Sequence, residues 1–310
     1  MPAPQGSPCV PHETDVKQLI HIGANKTAST LLQRRLFACH PSIAYLGEDC
    51  RDYSALQPLL EALVQKDESY YDGERAKELF ERAAAESGRS VMVFSSEDIL
   101  TARHPSVCAA RLGRLMPSAT VVLVLRNQLT TWPSWYINHG AFLKGVPRRY
   151  WRRHVSFEEW LEYCFAFPDQ TPVEAMNYHR HVEIFSRVFG ADRMRILLYE
   201  DLIQRPAEYF AQWGEILGIS GQEVEQCLQG KRERPRLSHR RFLLERWGSA
   251  SPAALNFVKS VAGHWIDGGP AAHADLPPEW VGRIRSFYAP GNKALEDATG
   301  LCLSRHGYPV

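Results

Sequence analysis

The chain has 310 residues, 45% of them hydrophobic, with 36 lysines and arginines against 35 aspartates and glutamates. So near a balance excludes the basic field of a general nucleic-acid binder, and any anion site must come from local placement of charge. Its apolar content suits a sizeable buried core, and no apolar run approaches the roughly 20 residues of a membrane-spanning helix. The seven cysteines are scattered and form no C-x-x-C pair, so they read as reduced thiols rather than as a disulfide or zinc framework.

Residues 1–16 are rich in proline and polar residues and read as a flexible leader. They lack the basic and apolar regions of a signal peptide, so the expected location is cytoplasmic. Residues 17–310 read as a single domain. Gln18–Gly23 is a short apolar run stopped by glycine, the pattern of a buried strand. Thr30–Cys39 places Leu31, Leu32, Leu36 and Phe37 along one helical face, and His40-Pro41 ends that helix. Gly73–Ser87 reads as a charged amphipathic helix and Ser90–Ser95 as a second buried strand. Pro105–Met116 reads as a helix, and Ala119–Leu125 is the strongest strand signal in the chain. A helix is expected within Pro172–Phe189, a fourth strand over Arg193–Tyr199, and a helix over Pro206–Leu217 with Gly218 as its stop. After Gly230 the pattern is helical and irregular.

Strands alternating with helices predict an α/β fold, with helices on both faces of a central parallel sheet. In such sheets ligands bind beyond the carboxyl ends of the strands. Three polar clusters fall at those ends: Gly23–Thr30, Ser95–Asp98 and Arg126–Ser134.

The first cluster joins a strand to a helix N-terminus, where unpaired N–H groups and the macrodipole favour an anion. Lys26 adds a full charge, and Thr27, Ser29 and Thr30 add hydroxyls. A nucleoside-triphosphate P-loop needs glycines at two positions that are Ile20 and Asn25 here. Lys26-Thr27-Ala28-Ser29-Thr30 instead resembles the 5′-phosphosulfate loop of the sulfotransferase superfamily. Ala28 stands where that family usually has glycine, and its Cβ is costly if the position needs positive φ.

The second donor motif reinforces the resemblance. Strand Ala119–Leu125 runs into Arg126, followed by Ser134 and Tyr136, which looks like the family's 3′-phosphate motif. An arginine at a strand end and a serine in the next helix are expected to converge on one phosphate through charge-assisted bonds. Tyr199-Glu200-Asp201-Leu202 resembles the family's Y-E-D-L segment, with both acids read as structural. Phe287–Leu295 and Gly307-Tyr308-Pro309 resemble the tails of bacterial carbohydrate-type members.

The resemblance implies a P-loop-like three-layer fold. The donor it implies is 3′-phosphoadenosine-5′-phosphosulfate (PAPS), released as PAP after its sulfuryl group moves to an acceptor hydroxyl or amine. Charge building on the leaving phosphate calls for a cation, and Lys26 is the natural one. Glu48 matches the general base of glycosaminoglycan-type members. Glu97, at the end of the second strand, is its rival, while His21 reads as a packed core histidine and His139 as a candidate acceptor contact. No zinc-type spacing is evident, and no metal is expected. The acceptor class is open: Trp132, Trp135, Tyr136, Tyr150 and Trp151 offer rings that stack on sugars or pack the core. The cations Lys144, Arg148, Arg149, Arg152 and Arg153 favour an anionic saccharide or glycolipid. Two other readings remain open: a small-molecule kinase using ATP and Mg²⁺ with Asp98 as metal ligand, and a non-catalytic nucleotide- or polysaccharide-binding protein.

Overall fold

A computed structural model describes residues 16–24, 26–47, 57–140, 154–229, 237–248, 260–261 and 265–310. The leader, Glu48, Tyr150, Trp151 and the cations between Lys144 and Arg153 lie outside the described residues.

Five strands form one parallel sheet: β1 (Lys17–Gly23), β2 (Ile43–Gly47), β3 (Val91–Ser95), β4 (Thr120–Leu125) and β5 (Met194–Leu198). Their order is β2-β3-β1-β4-β5, with His21 level with Ser95 and Gly23 level with Val124. Parallel strands need long crossovers, and helices supply them here. The strands read as unbroken apolar runs because both sheet faces are covered. Ile20, Ile22, Leu123 and Leu125 face a core shared with the helices Gly73–Ser87, Pro105–Leu115, Tyr178–Phe189 and the long C-terminal helix Pro278–Thr299. Leu19, Val93, Val122 and Val124 face the opposite core, against Leu36, Phe37 and the Tyr209, Trp213 and Leu217 side chains of Pro206–Leu217.

The structure adds one strand to the expected elements and corrects one helix. Ile43–Gly47 is a fully buried edge strand that the apolar pattern did not announce. The helix after β1 begins at Ser29 and, from Leu32 to Phe37, widens into a π-turn in which Ala38 N–H donates to Gln33 O at 2.9 Å. The helix expected within Pro172–Phe189 is Tyr178–Phe189, preceded by a short turn of helix at Pro172–Ala175. Other boundaries agree: Pro206–Leu217 ends at Gly218 in the left-handed conformation, as its glycine stop predicts.

At the free edge, β2 alternates its carbonyls toward and away from β3. Val91 N–H takes the inward carbonyl of Ser42, whereas the outward carbonyls of Ile43 and Gly47 accept from the Arg89 and Gln57 side chains. Strand order places the switch point between β1 and β4, because the chain leaves β1 toward one edge of the sheet and leaves β4 toward the other. In such sheets ligands bind at this switch point, beyond the carboxyl ends of the strands.

Candidate active site

The Gly23–Thr30 loop occupies that switch point. Ala24 N–H donates to Val124 O at 3.1 Å, keeping the loop's root on β4. Thr27 then folds the loop back on itself. Its N–H and its hydroxyl both donate to Ala24 O, at 3.2 and 2.5 Å, and its Oγ1 lies 3.2 Å from Ser29 Oγ. Both side chains are buried, so these hydroxyls shape the loop. Two non-glycine residues, Lys26 at φ 72° and Ala28 at φ 64°, adopt the left-handed conformation. Left-handed residues feeding a helix start turn backbone N–H groups into a concavity suited to anions. The Cβ of Ala28 therefore sits where its conformation favours glycine. Gly23 has no such latitude, since a Cβ there would lie 1.9 Å from Ser29 Oγ.

Arg126 follows β4 directly. Its Nη1 donates to the main-chain oxygen of Lys26 at 2.8 Å, while Nε and Nη2 reach Thr130 Oγ1 and O at 3.3 Å. The guanidinium carbon stands 4.7 Å from the centre of the Tyr199 ring, within cation–π range. Tyr178 OH donates to Arg126 O at 2.7 Å, and burial raises that phenol's pKa, so it remains a donor. In the structure Arg126 bonds to Lys26 and Thr130, and Ser134 lies on the helix Gln128–Trp135, half-buried, its carbonyl accepting from Asn138 at 2.7 Å. Thr30 is half-buried at the start of the first helix.

His21 is fully buried, and desolvation drives its pKa down to about 3, so the ring is neutral. Its Nδ1 lies 2.7 Å from Ser95 Oγ, which also accepts from Gln33 Nε2 at 3.1 Å; Phe37 and Trp213 meet it edge-on. It is a core histidine. Trp132, Trp135 and Tyr136 are buried too, so they pack the core. Glu97 is half-buried at the end of β3, beside a cleft of about 480 Å³ lined by Gln57, Leu60, Glu61, Phe94, Ser96 and Asp98. Among the described residues, no group of three or more His, Cys, Asp or Glu is placed to hold a metal ion, and no helix is long and apolar enough to cross a membrane.

Sequence reasoning missed the supports of this site. Tyr199 stood in a recognised motif, yet its ring beneath Arg126 carried no separate signal. Asn127, Gln128, Asn292 and His306 also escaped notice, because they act through pairings distant in sequence.

The architecture is the P-loop-like α/β fold of sulfotransferases, in three layers about a parallel sheet. No family model and no curated protein matches the chain. Among solved structures it is similar to the sulfotransferase from Alicyclobacillus acidocaldarius, with a TM-score of 0.54, 16% identity, and coverage of 93% of this chain and 98% of that one. The sulfotransferase domain of the Synechococcus PCC 7002 olefin synthase is matched with a TM-score of 0.41 and 16% identity, over 84% of this chain and 98% of that one. The sulfotransferase domain from the curacin biosynthetic pathway is matched with a TM-score of 0.41 and 15% identity, over 83% and 94%. At such identities the likeness is one of fold.

Proposed function

We propose that the protein transfers a sulfuryl group from PAPS to a hydroxyl or amine of an acceptor, with a saccharide or glycolipid as the acceptor class. The observation that supports this reading is the bond from Arg126 Nη1 to Lys26 O, which ties the loop after β1 to the residue after β4 at the sheet's switch point. PAPS differs from ATP in carrying a second, separate anion, the 3′-phosphate, and a site with two cationic elements suits it. The loop residues Lys26, Thr27, Ala28, Ser29 and Thr30 would hold the 5′-phosphosulfate. Arg126 and Ser134 would take the 3′-phosphate.

In the reaction the acceptor oxygen bonds to sulfur while the bond from sulfur to the bridging oxygen breaks. The electron pair leaves with PAP, and the acceptor's proton goes to a base. Lys26 stabilises the charge building on the bridging oxygen, and we assign the base to Glu48, with Glu97 as the alternative. No metal takes part in this scheme. We assign the acceptor to the cleft beside Glu97 and the ends of β2 and β3, and the cations at Lys144, Arg148, Arg149, Arg152 and Arg153 favour an anionic one. We place this activity in the cytoplasm.

The test is transfer from sulfur-labelled PAPS to a panel of acceptors, neutral and acidic saccharides first, in buffer containing a metal chelator. Labelled product supports the reading. ATP- and Mg²⁺-dependent phosphorylation of the same panel, with no sulfation, overturns it in favour of a kinase.

A further inference from the structure

The residue after Arg126 is tied to the far end of the chain. Asn127 N–H donates to Glu200 Oε1 at 2.9 Å, and the other oxygen of that carboxylate accepts from Tyr308 OH, also at 2.9 Å. One carboxylate thus bridges the root of the Arg126 strand end and the C-terminal segment. Tyr308 is 1% exposed; burial and the Glu200 charge beside it raise its pKa well above the usual phenol value, so it stays a proton donor.

Two further bonds fasten the same segment. Asn127 Nδ2 donates to His306 O at 2.9 Å, and Asn292 Nδ2 donates to Pro309 O at 2.6 Å. Asn292 is in turn paired with Gln128, whose Nε2 donates to Asn292 Oδ1 at 3.0 Å. Between His306 and Tyr308 the chain turns at Gly307, whose φ of 70° lies in the left-handed region. That turn lets the His306 carbonyl reach Asn127 while the Tyr308 hydroxyl reaches Glu200. Tyr199, the neighbour of Glu200, lies under the Arg126 guanidinium. The Tyr199-Glu200 dipeptide therefore holds Arg126 by its ring and the following residue by its carboxylate.

We propose that Glu200 and Tyr308 are positioning residues for the Arg126 anion site, and that the docked C-terminal segment Leu303–Val310 sets where β4 delivers that arginine. The proposal rests on the reading of Arg126 as the ligand of the donor's 3′-phosphate. A consequence is reciprocal: a ligand that needs Arg126 in place also holds the tail in place, because coupling between two sites acts equally in both directions.

The experiment compares binding of PAP and of adenosine 5′-phosphate by calorimetry in the wild type and in Tyr308→Phe, Glu200→Ala, Glu200→Gln and Arg126→Ala. Melting curves confirm that each variant is folded. Tyr308→Phe should weaken PAP binding by about 10-fold, the scale of one hydrogen bond to a charged acceptor, and leave adenosine 5′-phosphate binding nearly as it was. Glu200→Ala should weaken PAP binding further, and Glu200→Gln should recover much of that loss. In the wild type, PAP and not adenosine 5′-phosphate should slow amide hydrogen exchange in Leu303–Val310. If Glu200→Ala does not fold, Tyr308→Phe and the exchange experiment decide alone. A wild type that does not prefer PAP overturns this inference and the functional reading together. If Arg126→Ala selectively loses PAP while Tyr308→Phe does not, or if Tyr308→Phe weakens both nucleotides equally, the inference falls and the functional reading stands.

Discussion

Arg126 Nη1 and Lys26 O, one hundred residues apart in sequence, meet at 2.8 Å. The two halves of the candidate donor site are therefore one mechanical unit. Arg126→Ala should weaken PAP binding by about 2–3 kcal/mol, the scale of a charged hydrogen bond. Because it also releases the Lys26 carbonyl from a charge-assisted bond, adenosine 5′-phosphate should weaken too, by about 1 kcal/mol, since the loop feels that loss only indirectly. Calorimetry with both nucleotides checks this, and equal losses would remove Arg126 from the 3′-phosphate.

Ala28 holds φ 64° and ψ 22° at the start of the first helix. A non-glycine residue in that region costs about 1–3 kcal/mol. Glycine relieves the strain but loosens the unfolded chain by about 0.4–1 kcal/mol. Ala28→Gly should therefore be net stabilising, by about 1 kcal/mol, with donor affinity kept or improved. Urea unfolding measures the first quantity and PAP titration the second. A destabilised Ala28→Gly would mean that the alanine methyl makes a contact outweighing its strain.

Catalysis separates the two glutamates. Glu48→Gln should keep PAP affinity and lower turnover by roughly 10²–10⁴, the usual effect of removing a general base. Glu97→Gln should do less. Single-turnover sulfation with saturating acceptor distinguishes them, and an inactive Glu97→Gln beside an active Glu48→Gln would exchange their roles.

Buried histidines make stability depend on acidity. Burial lowers His21 to about 3 and His181 to about 4, against roughly 6.5 in the unfolded chain. Between those values the unfolded state binds protons that the native state refuses, so stability rises with pH across the window and falls on acidification. From pH 7 to pH 5 each histidine should remove about 2 kcal/mol. His21→Asn keeps a polar atom for Ser95 and does not titrate. It should be less stable at pH 7, yet its loss between pH 7 and pH 5 should be smaller by about 2 kcal/mol. An undiminished loss in urea titrations at the two pH values would place the proton uptake elsewhere.

Much of this architecture was legible because its signals are local. Buried parallel strands are continuous apolar runs, and Pro206–Leu217 carries its own start and stop in Pro206 and Gly218. Ile43–Gly47 was not legible, since five residues after a proline turn suffice for an edge strand but not for a pattern. The π-turn at Leu32–Phe37 is a choice of hydrogen-bond register that residue spacing does not encode. Of the site, the loop and Arg126 were found by residue type. Their junction was not, because the acceptor is the main-chain oxygen of Lys26, which every residue possesses. The contacts of Arg126 with Thr130, one turn along the next helix, were not read from the sequence either, since they depend on the rotamer of a long side chain.

The capped border of the sheet has a consequence for self-association. An exposed parallel strand offers outward carbonyls to which another chain can add a strand of its own, the first step toward aggregates. On β2 the outward carbonyls of Ile43 and Gly47 are already taken by Arg89 and Gln57. An incoming strand would have to displace a guanidinium and an amide before its first bond formed. Among the described residues, these two side chains act as stoppers at the two ends of β2.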